Sequence, residues 1–355
     1  EHKGDYRIET LEIGPYALAE AVRVEAELYR PLDIPDETPS KSSFVAPIPP
    51  LPLFLDLPLI TGTEEPHAPH LAITASPWPG SVALYAASTQ EDYELLGLFG
   101  RPATVGTLLS PLKAASPALV DNGTPVHVRL SRGTLQSVSL ERLFAGANLA
   151  AIGDGSPENW ELIQFAEAQL IAPSEYLISA RVRGRNGTDA AMPAEWPVGS
   201  YFVLFDQAVT QVPLAASTRG LSQTYRIGPA RRAFDDPSFV EESHAFRGLG
   251  LRPLSPVHLK AAPDAEGLRL SWIRRTRQDG DTWEGLDVPL AEETELYRIR
   301  ILSGSTILRE AFSPIPEWSY PASEVEQDRN SPEIKAEITQ ISARFGPGAP
   351  GLLRL

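Results

Sequence analysis

A chain of 355 residues with a formal charge of −15 and no cysteine excludes disulfide staples, thiolate catalysis and Cys-ligated zinc. The acidic balance argues against a general nucleic-acid binder, which needs a basic footprint, but it fits solubility and a surface past which DNA slides without sticking. Thirty-four prolines and few long apolar periodic runs favour short strands joined by turns. No run of about eighteen apolar residues offers a membrane span, and no N-terminal signal pattern is seen.

The expected fold is mainly β, in five parts. Residues 1–30 read as the final strands of a domain lying mostly upstream: Tyr6, Ile8, Leu11 and Ile13, then Val22, Val24, Ala26 and Leu28, with charged residues between. A two-stranded unit is only marginally stable alone. With Glu1 close to a strand and Met192 the only methionine, the expectation is the C-terminal part of a longer polypeptide, or a processed product. Residues 31–58 read as a Pro-rich linker, with Pro47, Pro49, Pro50 and Pro52 nearly alternating, the pattern of an extended polyproline connector. Residues 59–250 read as a central β-rich domain. Its predicted strands include 71–74, 81–86, 93–97, 126–130, 161–165, 176–182, 201–205 and 223–227, with Asn122-Gly123, Asp154-Gly155 and Asn186-Gly187 as turns. One short helix is expected after Ser139 as N-cap, with Leu140, Leu143 and Phe144 at helical spacing. Residues 253–345 read as a fibronectin type III-like sandwich, with Trp272, Tyr297 and Tyr320 as its large core residues. Residues 346–355 read as a C-terminal tail.

Each candidate site has a plain structural reading beside it. Gly346, Gly348 and Gly351 match G-x-G-x-x-G, but Pro347 and Pro350 break the helix such a loop needs, leaving a terminal turn. His67 and His70 stand beside Glu64 and Glu65, yet Pro66 and Pro69 prevent a helix that would aim both rings at one metal. His127, His244 and His258 are isolated. Carboxylate pairs that could serve a glycosidase are Asp154 with Glu158, Asp279 with Asp281, and Glu292 with Glu293 or Glu295. All read better as turn or solvated residues. Arg181, Arg183 and Arg185 alternate, so a strand would place them on one face, where they read as a subunit contact in preference to a phosphate grip. Trp78, Trp283 and Trp318 have turn or proline neighbours and are candidate platforms for glycan contact. Asn122-Gly123-Thr124 and Asn186-Gly187-Thr188 match a glycosylation sequon but read as hairpin turns. No catalytic, cofactor-binding or metal residue emerges.

Four long strings carry a resemblance. They are LPLFLDLPLITGTEEPHAP (51–69), LQSVSLERLFAGANLAAIGDG (135–155), WELIQFAEAQLI (160–171) and SWIRRTRQDGDTWEGLDVPLAEETELYRI (271–299). Together the chain resembles the C-terminal half of the siphophage-like tail-tip or baseplate hub (host-specificity) protein of gene transfer agents. That resemblance implies a non-enzymatic structural protein without a cofactor. It would be made in the bacterial cytoplasm and built into the tail tip of a phage-like particle as a homotrimer around the tail axis. It would touch other tail-tip and baseplate proteins and take part in host attachment and DNA delivery, with DNA passing nearby without sequence-specific binding. The alternative reading is a surface glycan-binding, or less readily glycan-hydrolysing, β-protein.

Overall fold

The computed structural model describes residues 3–25, 48–89, 92–278, 280 and 288–355. The chain divides into two units, residues 1–46 and residues 47–355. It is mainly β, as the turn spacing predicts. Among the described residues no helix is long and apolar enough to cross a membrane.

In the first unit, β1 (Tyr6–Ile13) and β2 (Ala17–Arg23) form an antiparallel hairpin. The second strand begins earlier than its sequence pattern suggests, because the chain reverses through residues 14–16. Residues 26–28 of the expected strand lie outside the described residues. A bulge between Ile8 and Thr10 restores the alternation. Tyr6, Ile8, Leu11 and Ile13 therefore share one face with Arg23, Ala21, Ala19 and Ala17. That apolar face is exposed within the unit, Ile13 by 82%.

The second unit starts with β3 (Leu51–Leu55), β4 (His70–Thr74), β5 (Val82–Ala87) and β6 (Glu94–Phe99). Next come β7 (Val105–Leu108), β8 (Leu112–Lys113), β9 (Val120–Asp121), β10 (Val126–Leu130), α1 (Leu140–Phe144), β11 (Leu149–Gly153), β12 (Trp160–Ala172), β13 (Glu175–Val182), β14 (Glu195–Trp196) and β15 (Tyr201–Leu204). The strands β10-β7-β15-β11-β12-β13 pair in that order, all antiparallel, and β13 pairs back onto β10. They close a six-stranded barrel, which removes its sheet edges. Alternate residues such as Val126, Val128, Ile152, Ile163, Phe165, Ile178 and Phe202 fill it. The predicted helix is α1, and the Ser139 side chain accepts from Arg142 N at 3.3 Å as its N-cap.

The chain then returns to where it left off. β16 (Thr210–Gln211) adds to β4, and β17 (Gln223–Pro229) and β18 (Val240–His244) complete the sheet begun by β5. The barrel is thus inserted between two halves of another β layer pair. The β16-β4-β3 sheet lies between the barrel and the β18-β17-β5-β6 sheet. Leu53, Leu55 and Ala72 pack on the outward-facing Val105, Ala151, Leu162 and Val203 of the barrel. Phe54, Leu71 and Ile73 pack on Val82, Leu84, Tyr225 and Ile227 of the outer sheet. Burial on both faces explains the unbroken apolar runs of β3 and β4.

This corrects the linker expected over 31–58. Residues 31–47 of that region lie outside the described residues, but its end is a core strand. Pro52 is tolerated there because β3 is an edge strand, so its missing N–H breaks no ladder.

The remaining strands are β19 (Val257–Asp264), β20 (Gly267–Ile273), β21 (Tyr297–Ser303), β22 (Thr306–Ser313), β23 (Glu317–Pro321), β24 (Ile334–Ser342) and β25 (Gly346–Arg354), with α2 (Ala322–Asp328) before β24. Sheets β19-β20-β23 and β22-β21-β24-β25 enclose one core, so the expected sandwich is present, built of three strands on four. Trp272, Tyr297 and Tyr320 lie in it, the first two edge to face at 5.1 Å. The tail expected over 346–355 is instead the edge strand β25, paired with β24 from Lys335–Arg354 to Ser342–Gly346. Its glycines answer a packing need. A Cβ at Gly348 would lie 2.2 Å from the Pro253 carbonyl oxygen, and one at Gly351 2.7 Å from that of Pro256.

Candidate functional site

The densest polar geometry lies where the barrel ends and where the modules meet. Glu161, in β12, is fully buried. Its carboxylate accepts from Arg183 Nε (2.7 Å) and Nη2 (2.8 Å), Trp196 Nε1 (2.7 Å) and Gly184 N (3.1 Å). Arg183 Nη1 donates to the Lys113 carbonyl at 2.7 Å. Beside it, Arg181 donates to Asp121 Oδ2 (Nε, 2.9 Å) and to the carbonyls of Thr124 and Ile178. Burial pushes the Asp121 carboxyl up, but the Gly123 N–H and the Arg181 and Arg183 guanidiniums outweigh it and hold it below the usual range.

The arginine stripe expected at a subunit contact is therefore used inside the chain. Register sets Arg181 opposite Phe165, a barrel core residue, so the shared face turns inward. Arg181 and Arg183 are each 1% exposed. Arg185 leaves the strand, sits in the 3-10 segment Arg185–Ala191 and is half-buried.

A cleft of 590 Å³ opens where the 58–63 loop, Asn186-Gly187, the 249–254 segment and Thr276-Arg277 converge. A second cavity, of 300 Å³, adjoins it between Asp56, Glu158, Trp160, Arg252 and Pro350. Asp56 is 1% exposed and accepts from Gly248 N (3.0 Å) and Leu249 N (2.8 Å). Burial is the largest influence on it, and raises its pKa to about 6 against the pull of those amides. The sandwich is fastened to the barrel nearby. Arg275 reaches both carboxylate oxygens of Asp189, at 2.8 and 3.2 Å, and donates to the Ser255 carbonyl at 2.7 Å. Asn186 and Gly187 take left-handed conformations in the expected turn, and Asn186 Nδ2 ties the turn to the Leu59 and Ile60 carbonyls.

Other expected site residues disperse. Trp78 is half-buried against the core of the outer sheets. Trp318 stacks on Tyr320 at 5.4 Å and packs on the sandwich core. Neither is an open platform, which corrects their reading as glycan contacts, and Trp283 lies outside the described residues. Asp154 is held in its turn by Ser156 and Asn159, while Glu158 faces Arg247 at 3.4 Å. Asp279 and Asp281 lie outside the described residues. Glu292 pairs with Arg277 at 3.1 Å, and Glu295 accepts from the Tyr297 hydroxyl at 2.6 Å. His67 bonds the Leu214 carbonyl, and His70 is buried edge-on to Phe205 at 5.5 Å, where burial lowers its pKa. Glu161 and Asp56 were not singled out in the sequence. A lone Glu inside the apolar run WELIQF was the available signal for the first.

A family model described as "Rcc01698-like, C-terminal" matches residues 103–203, the span of the inserted barrel. No curated protein matches. Among solved structures, domains d3–d4 of the rat CD45 extracellular region are similar over 42% of this chain and 71% of that one, at 8% identity and a TM-score of 0.21. So low a score carries no argument about fold or function.

Proposed function

We propose that the chain is a non-enzymatic structural component of the tail tip, or baseplate hub, of a siphophage-like particle or gene transfer agent. In this reading it helps assemble the tip with other baseplate proteins as a trimer, and contributes to host attachment and DNA delivery. Two of the resembling strings, 135–155 and 160–171, run through α1, β11 and β12, inside the region that the family model matches. The observation that carries the reading is the β1–β2 hairpin. A contiguous apolar face on two strands is a surface that assemblies cover. The inward use of Asp189 by Arg275 agrees with this, since it stiffens the joint between barrel and sandwich.

Cryo-electron microscopy of whole particles tests the proposal. The expected result is density for this chain at the tail tip in three copies around the axis, with the hairpin face covered. Absence of the chain from any particle overturns it.

One observation favours the second reading, a surface glycan-binding protein. On the outer sheet Tyr93 and Phe234 lie 5.1 Å apart, Arg226 sits 4.5 Å over Phe234, and Tyr93 bonds Glu241. Binding of isolated capsule or lipopolysaccharide, lost in Tyr93→Ala/Phe234→Ala, would move this reading to first place.

A further inference from the structure

Three guanidiniums surround one ring at the β24–β25 turn. The carbon at the centre of each lies close to the Phe345 ring centroid: Arg219 and Arg344 at 5.1 Å, Arg277 at 5.6 Å. None is therefore farther than about 11 Å from another. A ring has two faces, so at least two of the three share one.

Arg277 is matched by Glu292. Arg219 and Arg344 are exposed, and neither pairs with a carboxylate among the described residues. Like charges held this close repel, and cation–π attraction at an exposed ring is weak. In a chain with 46 carboxylates against 31 Lys and Arg, two neighbouring guanidiniums with no carboxylate partner among the described residues are conspicuous. The 590 Å³ cleft extends it. Arg277 is in its wall together with Arg252 and the hydroxyl-bearing Thr61, Thr63 and Thr276, and no Asp or Glu lines it among the described residues.

We propose that Arg219, Arg277 and Arg344 around Phe345 form a binding site for an oxyanion of the phosphate or sulfate type, with Arg252 in the adjoining cleft as a second subsite. Guanidinium forks match pairs of oxyanion oxygens. The anion is either a free ion or a group carried on a saccharide polymer. A nucleic acid fits less well. The cluster is confined to one ring, and the net charge of −15 opposes a long phosphate backbone. The inference rests on neither functional reading above.

The test uses the full chain at low ionic strength. Three probes are titrated: sodium phosphate, a fluorescently labelled heparin-derived hexasaccharide, and a labelled oligothymidylate. The hexasaccharide is expected to bind with an affinity that falls as salt rises. Arg219→Gln/Arg344→Gln should weaken it about tenfold or more. Arg132→Gln/Arg142→Gln, the same loss of two charges at exposed arginines of the barrel region, should leave it within about twofold. Arg344→Lys, which keeps the charge but loses the fork, should fall between. Displacement by phosphate at matched ionic strength assigns the site to the free ion, and its failure assigns it to the polymer-borne group. Both outcomes uphold an oxyanion site. Unchanged melting of the variants separates lost binding from lost folding. The proposal is overturned if neither anion binds, if Arg132→Gln/Arg142→Gln is as damaging as Arg219→Gln/Arg344→Gln, or if the oligothymidylate binds more tightly than the hexasaccharide.

Discussion

At the end of the barrel Glu161 is buried with four donors aimed at it. In the core of the C-terminal sandwich Gln340 is just as buried, and no described group bonds either end of its amide. The two modules reach the same density by different means. The barrel end is closed by a polar network drawn from residues 113, 121, 161, 181, 183 and 196, every one of which must be in place. The sandwich is held by aromatic and aliphatic contact around Trp272, Tyr297 and Ile338, and its one central amide is a residue of composition with no bonding role. Removing the Glu161 carboxylate should therefore be costly in the barrel, and removing the Gln340 amide cheap in the sandwich.

The largest effect should follow from breaking the barrel network. Glu161→Gln keeps the shape but takes the nearer carboxylate from the buried Arg183 and leaves it only Asp121 at 3.6 Å, a change that costs up to about 3–5 kcal/mol. Urea unfolding should show that loss, and Glu161→Leu/Arg183→Met should recover a large part of it. A cost under about 1 kcal/mol for Glu161→Gln would mean that the buried pair is not what closes the barrel.

The next effect compares two buried carboxylates. Glu161 faces arginine, whereas Asp56 faces only backbone amides and has its pKa raised from 3.8 to about 6. Between those values the folded chain binds a proton that the unfolded chain does not, so stability falls as pH rises. The contribution of protonated Asp56 is fully present below about pH 4 and lost through about pH 6, and amounts to about 3 kcal/mol. Asp56→Asn cannot titrate. The difference in unfolding free energy between wild type and Asp56→Asn should change by that amount across the window. A constant difference would refute a raised pKa at Asp56.

The strands of the barrel and sandwich were legible because period-two alternation survives wherever one face is buried. What misled was chemistry with two meanings. Pro47, Pro49, Pro50 and Pro52 suggested a connector and hid β3, because a proline on an edge strand leaves no trace in composition. Gly346, Gly348 and Gly351 gave the spacing of a phosphate loop, yet two of them admit the chain at residues 253–256. Arg181 and Arg183 were correctly placed on one strand face, but which face needed the register against Phe165. The nested topology was not legible at all, since β5 and its partner β17 are separated by the whole barrel. Asp56 was invisible for the same reason: its donors come 192 residues later.

The glycine reading has its own test, with a smaller effect. Gly348→Ala should cost about 1–3 kcal/mol, because the new methyl group meets the Pro253 backbone, which cannot rotate away as a side chain could. Gly346→Ala meets no atom within 4 Å, and its penalty should come only from its φ of +82°. Equal melting temperatures for Gly348→Ala and wild type would show that β25 does not dock closely on residues 253–256.

The smallest expected effect is also the only stabilising one. Gln340 lies opposite Tyr297 in the β21–β24 register, with Trp272 packed on that tyrosine. Burying an amide without partners costs about 1–3 kcal/mol, and methionine fills nearly the same volume without polar atoms. Gln340→Met should therefore raise unfolding free energy by about 1 kcal/mol, measured by urea titration with unchanged m-value. A loss of similar size would mean that the amide has a hydrogen-bonded role, and that barrel and sandwich handle buried polar groups alike. The sign of this one substitution separates a sandwich that tolerates a misplaced amide from one that depends on it.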